Sequence, residues 1–245
     1  MKILALDTST DRIVFGYKDE TQSAEYSFEG NLRHSRTLMI KLDNFLASIN
    51  IDINEIELFG CGIGPGSFTG LRIGIAAVKA MAYVNNRKIV GIPSLDLFAL
   101  NVPFDGHVLV VKHARDINFY GALYFKKGNI VDPIISHFFK DKYSILEDLK
   151  HLEIESELFI IGDGTNEFRN LRDHFKVFEC LNQQYNEIRG LYLVNEVERR
   201  YSLNEKIYDS KSLLPLYLQR PLAEINWEKR YGNKGAETQG DEKNG

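Results

Sequence analysis

The sequence predicts an α/β fold built from two related lobes. Three observations carry this reading. A strand, helix, strand order recurs in both halves, a Pro- and Gly-containing break falls between them at Asn101 to Gly106, and 245 residues are enough for one large or two small domains. A chain of this size buries about three quarters of the surface it exposes when unfolded, so a core needs no disulfide or metal staple. At 44% hydrophobic and 26% charged residues, the composition excludes bulk disorder. The boundaries read as 1-102 for the first lobe and 103-224 for the second, with a C-terminal segment able to pack back on the first, and 225-245 for a disordered tail of almost wholly polar residues.

Residues 2 to 7 are apolar on both faces up to Asp7, the pattern of a central buried strand. Turn chemistry at Thr8-Ser9-Thr10-Asp11 leads to strands at Ile13 to Tyr17 and Ser23 to Phe28. Ser35 suits the N-cap of a helix running to about Ser48, with Leu38, Leu42, Phe45, Leu46 and Ile49 on one face and Met39 and Ile40 widening the stripe. A strand at Leu58 to Ile63 feeds the loop Gly64-Pro65-Gly66-Ser67-Phe68-Thr69-Gly70 and a helix from about Leu71 to Asn85. That helix is apolar nearly all round, which demands burial in the fold or against another chain. Gly70, Gly74 and Ala77 leave one stripe almost without side-chain volume, suited to close approach of another helix.

A short strand at Ile89 to Ile92 and a helix from Pro93 to about Leu100 end the first half. The second half predicts strands at His107 to Lys112, Asn118 to Phe125, Ile130 to Ser136 and Leu158 to Ile161. Its helices are expected near Tyr143 to Leu149, at Glu167 to His174 and at Glu187 to Ser202, the last with Ile188, Leu191, Val194 and Val197 inward.

Lys and Arg number 30 against 34 Asp and Glu, and no basic tail or half emerges, so tight nonspecific binding to nucleic acid by this chain alone is not expected. Cys61 and Cys180 have neither disulfide-framework nor zinc-site spacing. The opening apolar run is too short for a signal peptide and no run approaches a membrane span, so a cytoplasmic, soluble protein is expected.

Three groups of residues could carry chemistry. Asp7, Thr8 and Ser9 at a strand end can present a carboxylate, hydroxyls and amides to a phosphate or hydrated metal, or close an Asx-type turn. The loop with Gly64, Gly66, Ser67 and Gly70 can admit a phosphate at a helix N-terminus, or serve plain strand-to-helix packing; it matches neither the Walker nor the dinucleotide pattern. The turns His113-Ala114-Arg115-Asp116 and Asp163-Gly164 follow buried strands and could line a cleft between lobes. No two histidines stand four apart and no nucleophilic triad is apparent, so neither a helical bis-histidine metal site nor a triad hydrolase is predicted.

Taken together, Ile3 to Thr10, His34-Ser35 and above all Gly62 to Gly74 resemble the bacterial TsaB (YeaZ) family. Ile89 to Leu95 is similar to that family's next strand and turn, Ala114-Arg115 to its Asp-Ala-Arg motif, and Pro215-Leu216-Tyr217-Leu218-Gln219-Arg220 to its C-terminal motif. His113, Asn118 and Arg36 depart from it, each standing where an acid is usual.

The resemblance implies an actin-like ATPase (ASKHA) fold of two duplicated lobes and a part in placing threonylcarbamoyl on the adenosine next to the anticodon of tRNA. It implies a catalytic paralog, TsaD, whose pair of histidines holds a metal, and a P-loop ATPase, TsaE; tRNA is met through the complex. Where the paralog carries its histidines this chain has Gly91-Ile92-Pro93-Ser94-Leu95-Asp96. It should therefore not transfer the group alone. The expected role is that of a non-catalytic subunit, with Leu38, Leu42, Leu71, Gly74, Ile75, Val78 and Met81 as the partner surface in a helix bundle. A homodimer is a further alternative, with its preference over the heterodimer left open. No cofactor is expected to bind stably to this chain; ATP or ADP with Mg²⁺ at a subunit interface is the open alternative. The competing readings are an independent ATP-binding enzyme using Asp7, Ser9 and the Gly64 to Gly70 loop, and a metallopeptidase, which the missing histidine pair argues against.

Overall fold

The computed structural model describes residues 1–30, 34–152, 154, 157–179 and 183–219. Alternating side chains decide how the first sheet is covered. In β1 (Ile3–Asp7), Ile3 and Ala5 enter one core cluster while Leu4 and Leu6 enter another, so both faces are buried as the apolar run predicts. β1 pairs antiparallel with β2 (Arg12–Lys18), which pairs antiparallel with β3 (Ser23–Glu29). On its other side β1 pairs parallel with β4 (Leu58–Gly62), followed by β5 (Lys88–Ile92).

Helices α1 (His34–Ser48) and α2 (Phe68–Val84) contribute to the cluster on one face of this sheet. The expected cap at Ser35 cannot be placed, because the side chains of His34, Ser35 and Arg36 lie outside the described residues. α2 starts three residues earlier than its apolar pattern, because Ser67 caps it by accepting from the Gly70 amide at 3.2 Å.

The second sheet repeats the order of the first. β6 (Gly106–His113), β7 (Asn118–Lys127) and β8 (Ile130–Asp141) form an antiparallel meander, and β9 (Leu158–Ile161) and β10 (Val177–Glu179) add parallel strands on the far side of β6. Strand orders β3-β2-β1-β4-β5 and β8-β7-β6-β9-β10 are the same path traced twice, which gives the actin-like fold of two duplicated lobes. β11 (Ile207–Tyr208) pairs with β5 and so extends the first sheet. α4 (Lys142–Lys150) and a 3-10 helix at Thr165–Asp173 cover the outer face of the second sheet. The latter replaces the α-helix expected at 167–174, and β8 runs further than predicted.

Two helices sit on the lobe that their sequence position does not suggest. α3 (Ser94–Leu100) follows β5 but packs on β6, β7 and β8, while α5 (Gly190–Ser202) follows the second sheet but crosses β1, β2 and β3 of the first. α5 begins at Gly190 because Glu25 on β3 accepts from the Leu191 amide at 3.1 Å, a cap supplied across the sheet. Leu193, not Leu191, is the buried apolar side chain of its first turn, and Ile188 is buried ahead of it. Gly60 on β4 lets α5 lie close: a Cβ there would stand 2.3 Å from Val197.

The expected tail 225–245, Arg220 and Cys180 lie outside the described residues. Among those described, no helix is long and apolar enough to cross a membrane.

Candidate functional site

The turn after β1 is closed by hydrogen bonds to a buried carboxylate. Asp7 is fully buried: Oδ1 accepts from the Ser9 amide at 2.7 Å and the Ser9 hydroxyl at 2.6 Å, and Oδ2 accepts from the Ser94 hydroxyl at 2.6 Å. Burial pushes its pKa up, and the Ser9 and Ser94 hydrogen bonds pull against that. The same burial, helped by the Asp7 charge, raises the Cys61 thiol.

The glycine-rich loop is knitted to this turn. Gly64 donates to Ser94 Oγ at 3.1 Å, Ser67 donates to the Ser9 carbonyl at 2.7 Å, and Thr8 Oγ1 donates to the Gly70 carbonyl at 2.8 Å. The Asx-type turn and strand-to-helix packing, held open as alternatives, thus describe how Asp7, Thr8, Ser9, Gly64, Gly66, Ser67 and Gly70 are used within the chain. Gly66 lies against the Ser9 carbonyl, which a Cβ would approach to 2.2 Å. Gly70 and Gly74 are small for Thr8 and not for another helix. A Cβ on Gly74 would stand 2.1 Å from Thr8 Oγ1.

Beyond this knot a cleft of about 460 Å³ opens between the lobes. Ser9, Asp11, Gly66 and Ser67 line the first-lobe side, and Leu95 and Phe98 of α3 also line it. The second lobe supplies Lys112, His113, Arg115, Tyr120 and Asp163, so both turns predicted as cleft candidates reach it. Asp163 organises them by accepting from the His113 amide at 2.6 Å and pairing with Lys112 at 2.9 Å. The His113 ring lies 4.9 Å from Phe119. Lys112 and Arg115 are the cations of this lining, each beside a carboxylate, Asp163 at 2.9 Å and Asp116 at 3.6 Å, while the amides of Ser9 and Ser67 opposite are already bonded within the chain.

A second inter-lobe cavity, about 500 Å³, holds a charge network that sequence reasoning missed. Asp96 accepts from Tyr124 at 2.7 Å, His137 at 2.8 Å and Arg200 at 2.6 Å. Glu196 accepts from Arg199 and Arg200. Burial raises the Asp96 pKa, but His137, Arg200 and Tyr124 together hold it below the ordinary value. The Glu196 to Arg200 spacing is a helical i, i+4 pair visible in sequence; the convergence on Asp96 is not.

The expected partner surface needs correction. Leu38, Leu42, Leu71, Gly74, Ile75, Val78 and Met81 are buried in this chain's own core, because the apolar faces of α1 and α2 turn to the first sheet. What remains outside is a different set: Met39, Ile40 at 61% exposure, Tyr83 at 70% and Val84 at 78%.

Among the described residues no three His, Cys, Asp or Glu side chains gather to hold a metal ion. Ser94 and Asp96, in the stretch where the resemblance places a histidine pair, are spent on Asp7 and on the buried network.

Residues 29–227 match the model of a family described as TsaD, tRNA N6-adenosine threonylcarbamoyltransferase. The tRNA threonylcarbamoyladenosine biosynthesis protein TsaB of Bacillus subtilis is 29% identical over 137 residues, 55% of this chain and 60% of that protein. TsaB of Escherichia coli is 30% identical over 96 residues, 39% of this chain and 41% of that protein. The chain therefore spans between about two fifths and three fifths of the length of these curated relatives. The solved structure of YeaZ from Pseudomonas aeruginosa superposes with a TM-score of 0.74 at 18% identity, covering 89% of this chain and 99% of that one, and shows the same fold.

Proposed function

Because this chain belongs to the tRNA N6-adenosine threonylcarbamoyltransferase family, on its TsaB (YeaZ) side, we propose that it serves the threonylcarbamoylation of the adenosine next to the anticodon of tRNA. Its role in this reading is that of a non-catalytic subunit that binds and activates a TsaD-type catalytic paralog. A TsaE-type P-loop ATPase joins the pair, and tRNA is met through the complex.

One observation supports the non-catalytic part above the others. At Gly91 to Asp96 the chain has no metal-ligating pair, and the polar side chains it does have there are buried and already hydrogen-bonded. The contact with the paralog is assigned to the outer face of α1 and α2. The inner face is committed to the core, whereas Met39, Ile40, Tyr83 and Val84 leave apolar surface uncovered where a helix pair from a like-folded protein would bury it. The same face would serve a homodimer when the paralog is absent.

Nucleoside mass spectrometry of tRNA from cells depleted of this protein tests the proposal. The threonylcarbamoyladenosine level is expected to fall and to recover with the intact gene but not with an Ile40→Asp, Tyr83→Asp variant whose melting temperature is unchanged. An undiminished level on depletion would sink the reading.

A second reading, an independent ATP-binding enzyme, draws on the 460 Å³ cleft and its Lys112 and Arg115. In it, phosphates would meet the second-lobe cations, since Asp7 is enclosed and the amides of Gly64 and Ser67 are taken. Calorimetric titration of the isolated chain with Mg-ATP separates the two: tight binding favours the enzyme. ATP or ADP bound only in the presence of the paralog favours a nucleotide at the subunit interface.

A further inference from the structure

The last described residues run along the first lobe and end on the second. Leu213 is fully buried in the core beneath α2, and its carbonyl accepts from Lys79 at 3.1 Å. The Leu216 amide donates to the Ile63 carbonyl at 2.8 Å, just ahead of the glycine-rich loop. The Tyr217 ring stacks on Phe68 at 5.1 Å, and its hydroxyl accepts from Arg72 at 3.2 Å. These contacts fix the segment to the first lobe several times over.

Two residues further on, a single side chain crosses to the other lobe. The Gln219 amide group donates to the Tyr120 hydroxyl, and its carbonyl accepts from Arg115 at 3.4 Å. Tyr120 and Arg115 both line the inter-lobe cleft. Elsewhere the two crossings of the chain between lobes are tied together, as Asn101 Nδ2 donates to the carbonyls of Tyr185, at 3.5 Å, and Glu187. The lobes are thus joined at their crossings, by the shared core and the buried Asp96 network between them, and at the cleft mouth by Gln219.

We propose that the segment from Leu213 to Gln219 is a strap and Gln219 its latch, holding the two lobes at a set opening over the cleft. Hydrogen bonds from one amide side chain exchange with water at small net cost, so the latch releases reversibly while the strap stays on the first lobe. Release leaves the buried joint at Asp96 and Arg200 in place as the pivot and lets the second lobe tilt on it, which widens the cleft mouth. An anion held by Arg115 and Tyr120 competes with Gln219 for the same groups, so filling the cleft and closing the latch oppose each other. The inference stands apart from the role in tRNA modification and survives its failure.

Hydrogen exchange read by mass spectrometry tests it on the full chain. In Gln219→Ala, peptides covering 64–70 and 114–120 are expected to exchange about ten times faster, while β1 and β6 keep their wild-type rates. Tyr120→Phe, which removes the hydroxyl that accepts from Gln219, is expected to act in the same direction. Gln219→Glu keeps an acceptor for Arg115 and for the Tyr120 hydroxyl and should stay within about twofold of wild type. Unchanged exchange around the cleft in Gln219→Ala would overturn the latch. So would an equal rise in β1 and β6, which would mark general destabilisation.

Discussion

Arg200 donates to Asp96 at 2.6 Å between two side chains that are both less than a tenth exposed. The bond joins the two helices that have changed sides, α5 on the first sheet and α3 on the second, and Tyr124 and His137 of the second lobe reach the same carboxylate. One buried carboxylate thereby collects donors from both lobes.

Removing one partner of such a pair leaves the other charged and desolvated. Arg200→Met should destabilise by about 3–5 kcal/mol, and Asp96→Asn by less, since an amide oxygen still accepts from Tyr124. In the double variant the loss should fall well short of the sum of the two. Urea unfolding of the three variants, analysed as a cycle, checks this.

The same carboxylate sets a limit on acid stability. Its folded pKa lies below the unfolded value of about 3.9, so its stabilisation is present above about pH 4 and is lost as the pH falls through the folded value. Asp96→Asn should therefore lose less stability than wild type between about pH 4 and pH 2. Thermal melts across that range give the comparison.

Asp7 behaves in the opposite sense. Its folded pKa is raised, so stability falls as the pH rises from the unfolded value of about 3.9 to the folded value, and the cost of the buried charge is complete above it. Asp7→Asn keeps the acceptor for Ser9, removes the buried charge, and should melt at or above the wild-type temperature at neutral pH. Asp7→Ala strands Ser94 and the Ser9 amide and should cost about 1–3 kcal/mol. Differential scanning calorimetry of both variants distinguishes a structural carboxylate from a solvent-facing one.

Thr8 and Gly74 are expected to couple strongly. Gly74→Ala drives a methyl against Thr8 Oγ1 and should cost about 1–3 kcal/mol by overpacking. Adding Thr8→Ala removes the atom in the way, so the pair should be more stable than the two single losses combined. Denaturant midpoints of the set test this.

Most of the lobes was legible because the residues that build them act locally. The doubly apolar run at Ile3 to Leu6, the stripe from Leu38 to Leu46 and the break at Asn101 to Gly106 follow from periodicity and turn chemistry. The N-terminus of α5 was misplaced because its cap comes from Glu25, 166 residues before Leu191. α2 is apolar nearly all round, so its pattern does not mark which part of the circumference meets the sheet, and Leu71, Gly74, Ile75, Val78 and Met81, expected at a partner surface, face this chain's own core. The Asp96 network escaped because its members lie 28, 41 and 104 residues away and meet only once the strands are in register.

The exchange of helices has a consequence for synthesis. The second lobe has all its strands once the ribosome has passed Glu179, whereas the first still lacks α5 and β11, which arrive with residues 190 to 208. Translation therefore starts the amino-terminal lobe first and completes it last. Until then the apolar face of β1 and β2 that α5 covers has no partner in the nascent chain. That interval is when a chaperone has most to protect.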